Sequence, residues 1–95
     1  MLIKFSKPVT INGKETKEIT LKDPDTLRGR DLLDAENEAR QLGDRSPTLQ
    51  FSNTYAAVIA AKLAGAPIDD VLDIPGPDFM KLTVTVQNVL LGKAL

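Results

Sequence analysis

Carboxylates are the only side chains abundant enough in this chain to suggest acid–base or metal chemistry: there are 13 Asp and Glu residues, no histidine and no cysteine. The absence of those two types excludes Ser-His-Asp and Cys-His nucleophilic catalysis, and with them the common zinc sites. The acids form two groups. Asp31, Asp34, Glu36 and Glu38 have the spacing of a solvated helix face, while Asp69, Asp70, Asp73 and Asp78 stand where helix caps and a loop are expected. The second group lacks the alternating ligands and closing glutamate of an EF-hand, so no metal site is expected there. Gly76 lies between two prolines and reads as a turn, not as part of a phosphate-binding loop. The residues therefore point to a protein that is not an enzyme, with no catalytic residue, no metal ligand and no cofactor.

The cations do not point to nucleic acid. Arg28, Arg30 and Arg40 share one stretch with acids, no aromatic side chain interleaves them, and net charge is −1. A solvated face is the better reading of these arginines and of Arg45. A helix-turn-helix is disfavoured too, because the helix that would read bases carries one lysine and no arginine. Membrane insertion is not expected, since the apolar run Ala56–Ala61 is far short of the ~20 residues a span requires. The first residues alternate with lysine where a signal peptide would be apolar. Lack of cysteine fits a reducing compartment. From Ser46 onward only Lys62, Lys81 and Lys93 are basic, which makes the C-terminal half the apolar one.

Those side chains must be carried by a small domain. The chain has 95 residues, 42% of them hydrophobic but only 4% aromatic, so its core must be built from Leu, Ile, Val and Ala. Residues 2–22 alternate as a β-hairpin about Asn12-Gly13. A two-residue turn there would set Phe5 against Thr20 and mix the faces. A three-residue loop, Ile11-Asn12-Gly13, pairs Phe5 with Ile19 and Ile3 with Leu21, and is favoured because register decides which face every side chain takes. Asp23 or Asp25 can then cap a helix over 24–42, with Leu32, Ala35, Ala39 and Leu42 as its core stripe and a Glu36–Arg40 pair on its surface. Gly29 delays its proper start.

Ser46-Pro47 is a helix-start pair and Gly65 a helix stop, giving a second helix over 47–64. Phe51, Tyr55, Val58, Ile59 and Leu63 line one of its faces, and Ala57, Ala60, Ala61 and Ala64 the other. Such a helix must be covered on more than one side. Asp69 can cap a short turn through Leu72. Pro77 and Asp78 suit the first turn of a last helix over 77–91. Its β-branched run Thr83–Val86 suggests a strand, but Phe79, Leu82, Val86, Val89 and Leu90 form a helical stripe. The expected fold is a single α+β domain spanning 1–95, an N-terminal β-hairpin followed by three main α-helices.

A second stripe of the last helix, Met80, Val84, Gln87 and Leu91, points away from that core stripe. Its lack of charge and its adaptable methionine mark it as the candidate partner-binding surface, and surplus apolar surface is expected mainly on this helix. Open hairpin edges are a second route, to homo-oligomer contacts.

The order of a lysine-rich hairpin, a Leu-Arg-Gly/Asp-Leu-Leu helix start and VIAAKLAGAPIDDVLDIPGPDFMKLTVTVQNVLLG resembles the tail assembly chaperones of tailed bacteriophages, specifically the small tail assembly proteins of Mu-like and related contractile-tailed phages and prophages. The pattern carrying it is the apolar helix ending Ala61-Lys62-Leu63-Ala64-Gly65, the Asp70-Val71-Leu72 turn, Asp78 opening the last helix, and the apolar tail. Ile74-Pro75-Gly76-Pro77 departs from it by being more proline-rich. The resemblance implies a non-enzymatic chaperone that binds the tape measure protein and keeps it competent for tail tube polymerisation, in the host cytoplasm and absent from the finished virion. It also implies a longer product made by programmed frameshifting near the end of the frame, a link to the tail tube protein; Gly92-Lys93 is a pair that slippery codons can encode. The alternative is a small structural or regulatory phage module, a tail completion or nucleic-acid-linked adaptor.

Overall fold

The computed structural model describes residues 1–48 and 52–92. Phe51, assigned above to a helix face, and Lys93, in the Gly-Lys pair, lie outside them. The order is β1 (Leu2–Ile11), β2 (Lys14–Thr20), a 3-10 turn (Pro24–Thr26), α1 (Gly29–Gln41), α2 (Asn53–Ala64), α3 (Ile68–Leu72) and α4 (Gly76–Leu90). An antiparallel hairpin followed by helices is the α+β arrangement expected.

The hairpin corrects the expected register. Asn12 (φ 54°) and Gly13 (φ 77°) are both left-handed, and Ile11 pairs directly with Lys14, so the turn has two residues rather than three. Farther out Ile3 pairs with Ile19, not with Leu21. The face mismatch of a two-residue turn is instead repaired in mid-strand. Between the Lys4–Glu18 and Val9–Thr16 pairs, the four residues Phe5–Pro8 of β1 stand opposite Lys17 alone. Pro8 has no N–H to give a ladder, so the interruption is placed where the backbone tolerates it. Ile3, Val9, Ile11, Ile19 and Leu21 all end up buried.

The stretch expected as the first helix is divided. Asp23 accepts from Asp25 N–H (2.9 Å) and caps only the 3-10 turn. α1 then begins at Gly29, where Arg28 N–H donates to the Asp31 carboxylate (2.8 Å). Ala35 and Ala39 are fully buried and Leu32 packs on the core, but Leu42, placed in the core stripe by periodicity, is exposed. It follows the last helical residue, where the chain turns at Gly43.

α2 starts six residues later than the expected 47, at Asn53. Two anchors hold Ser46 in a loop ahead of the helix. Asp44 accepts from Ser46 N–H (2.7 Å) and from Ser52 Oγ, and the Arg40 guanidinium donates to the carbonyls of Asp44 (3.3 Å) and Ser46 (2.8 Å). Arg40 is thereby engaged with this loop, where a pair with Glu36 was expected. Ser52 is the cap, its Oγ accepting from Tyr55 N–H at 3.2 Å. Gly65 (φ 68°) ends the helix, with Ala66 N–H returning to Ala61 O (3.0 Å).

The chain covers this helix with its own material. Ala56 through Ala61 are all at most 6% exposed, and α1, α3 and α4 pack around them. The alanines admit neighbours closely, and the larger buried side chains (Val58, Ile59, Leu82, Val86) each contribute about 1.5–3 kcal/mol. Lys62, the helix's one charge, reaches Glu38 of α1 at 3.9 Å.

Candidate partner surface

Two acids of the second group, Asp70 and Asp78, prove to be fasteners between the hairpin and the helices. Asp78, in the first turn of α4, accepts from Ser6 N–H (3.0 and 3.1 Å to its two oxygens) and from Ser6 Oγ (3.0 Å). The bulge in β1 is what turns that N–H away from β2. Beside it Lys81 Nζ donates to Lys4 O (2.9 Å), and at the hairpin tip Asn12 N–H donates to Asp70 (2.9 Å). The Ser6 backbone hydrogen bond is the main reason the Asp78 carboxyl is held below the usual range. Asp69 opens α3 without capping it, since Pro67 is the cap residue and no side-chain cap bond is made. A cleft between β1 and the α3–α4 connection is lined by Pro8, Val9, Thr10, Asp70, Asp73 and Pro75. Among the described residues, no three acidic side chains stand together as a metal-binding group. No helix among them is long and apolar enough to cross a membrane.

These fasteners fix how α4 is rotated. Leu82, Thr83 and Val86 are at most 1% exposed, and Phe79 and Leu90 pack on the same core. The β-branched run is compatible with a helix partly because two of its hydroxyls turn back on the preceding turn: Thr83 Oγ1 donates to Met80 O (3.3 Å) and Thr85 Oγ1 to Lys81 O (2.7 Å). The opposite side is left to solvent. Met80 is 46%, Val84 41% and Leu91 41% exposed, and Gln87 is half-buried among them.

These four positions span about 16 Å at 1.5 Å per residue. Leu91 lies one residue beyond α4 but continues its path, with N–H donating to Gln87 O at 3.0 Å. The strip borders the start of α2 through one amide. Asn53 Oδ1 accepts from Gln87 Nε2 (3.3 Å), and Asn53 Nδ2 points to Met80 Sδ (3.7 Å). Asn53 was missed from the sequence, because nothing local to it indicates that α4 passes beside it.

The surplus apolar surface is spread more widely than expected. Among the described residues Leu33 on α1 is the most exposed large apolar side chain at 63%, and Leu2, Leu42 and Leu72 are also exposed. A lone leucine on a polar helix face is ordinary. What distinguishes α4 is three such residues on one face with no charge between them.

The family model described as "Phage tail assembly chaperone proteins, E, or 41 or 14" matches residues 2–91, nearly the whole chain and every element above. Comparison with curated proteins and with solved structures returns no match.

Proposed function

We propose a client and a binding surface for this chain, which belongs to the phage tail assembly chaperone family. The client is the tape measure protein, a long helical chain whose apolar segments need cover until tail tube subunits polymerise around it. Binding is of the helix-in-groove kind, with an amphipathic client segment laid along Met80, Val84, Gln87 and Leu91. The observation that carries this reading is that α4, docked by its Leu82–Val86 side, leaves one uncharged face in solvent. Methionine adapts to varied client side chains. Asn53 and Gln87 supply a polar border, whose amides can register a client backbone. The action is binding without catalysis, in the bacterial cytoplasm, and the chaperone leaves before the virion is complete. A longer frameshifted product would bring in the tube protein, and mass spectrometry of the gene's products in infected cells tests for it.

The decisive experiment is co-expression with the tape measure protein of the same phage. The unaltered chain keeps the client soluble. The triple variant Met80→Glu, Val84→Glu, Leu91→Glu retains its circular dichroism and melting temperature but leaves the client in the pellet. A client that stays soluble with this variant would show that the surface is elsewhere.

A further inference from the structure

The hairpin has two edges, and they are treated differently. β1 is pinned on its outer flank by α3 and α4, through Asn12–Asp70, Ser6–Asp78 and Lys4–Lys81. Among the described residues β2 pairs with β1 alone, and Lys14, Glu15, Lys17 and Glu18 along it are exposed. Charges on a free edge ordinarily discourage another strand from adding. Here their order matters.

The run is Lys14-Glu15-Thr16-Lys17-Glu18. Laid antiparallel on a second copy of itself about a two-fold axis through Thr16, it sets Glu15 against Lys17, Lys14 against Glu18, and Thr16 against Thr16. All four charges then face opposite charges, and two threonines that can hydrogen-bond meet at the axis. Neighbouring registers fail. A two-fold axis between Thr16 and Lys17 sets Glu15 against Glu18, and one through Lys17 sets that lysine against itself. An axis between Glu15 and Thr16 sets Lys14 against Lys17, and one through Glu15 sets two glutamates together. The strand is complementary to itself in one register and repulsive in those on either side.

We infer that two copies of this chain associate through their β2 edges, antiparallel and centred on Thr16, joining two hairpins into one four-stranded sheet. A two-stranded sheet is marginal alone, and this pairing supplies the missing neighbour. The interface is separate from the α4 strip, so it stands or falls independently of client binding.

Sedimentation equilibrium of the full chain across a wide concentration range tests it. The unaltered chain is dimeric at the upper end. Glu15→Lys alone and Lys17→Glu alone each create two like-charge contacts across the axis and weaken the dimer roughly tenfold or more. The double variant Glu15→Lys, Lys17→Glu restores opposite pairing and brings the dimer back. Circular dichroism confirms that all three variants keep the fold. A chain that is monomeric at every concentration overturns the inference, as does a dimer that ignores the single reversals or is not recovered in the double variant.

Discussion

Asp78 and Ser6, 72 positions apart in the chain, are joined by a carboxylate that takes both the N–H and the hydroxyl of the serine, all at 3.0–3.1 Å. One end is the first turn of α4, the other the bulge of β1, so this contact sets where the last helix lies on the hairpin. Asp78→Ala leaves the Ser6 N–H without its acceptor at a part-buried contact and lowers the melting temperature by several degrees. Ser6→Ala keeps the backbone bond and costs less. Thermal melts of the two variants check the order; equal losses would mean that the backbone bond adds nothing.

Acid sensitivity follows from the same chemistry. Hydrogen bonds from Ser52 and Ser46 hold the Asp44 carboxyl well below the usual carboxylate range, at about 2, and Asp78 is lowered as well. A carboxyl depressed in the folded state stabilises it fully above the unfolded value. That contribution is lost as pH falls from about 4 toward 2, because the unfolded chain takes up the proton first. Urea melts through this window lose stability with falling pH, and Asp44→Asn and Asp78→Asn each flatten the slope.

Ser46, which the sequence offered as a helix start, and Ser52, which caps α2 in the structure, are separable. Ser52→Ala removes the α2 cap and costs about 1 kcal/mol. Ser46→Ala leaves that cap in place and costs less. Chemical denaturation of both variants decides which serine begins the helix.

Leu82 and Leu91 lie on one helical path but in different surroundings, fully buried and 41% exposed. Leu82→Ala opens a cavity and costs about 2–5 kcal/mol. Leu91→Ala changes stability by no more than about 0.5 kcal/mol and weakens binding of the proposed tape measure client instead. Calorimetry and a client pull-down on the same two variants read the two effects apart.

Several features could be read directly because their causes lie within a few residues. Asn12-Gly13 makes a turn since both positions accept positive φ, Gly65 ends a helix for the same reason, and the spacing of Leu82, Val86 and Leu90 outweighs the β-branched run between them. The Met80, Val84, Gln87 and Leu91 face was legible by the same period. Other features depended on groups far away in the chain. Parity in the hairpin had to be repaired somewhere, but the sequence could not place the repair at Phe5–Pro8, because what stabilises the freed Ser6 N–H is an aspartate in the last helix. Ser46-Pro47 looked like a cap locally, yet Asp44 and Arg40 hold that stretch in a loop and leave the role to Ser52. Local preference and period determined which elements form. Tertiary structure decided where they start and how they are registered, because both rest on a polar group finding a partner that sequence distance hides.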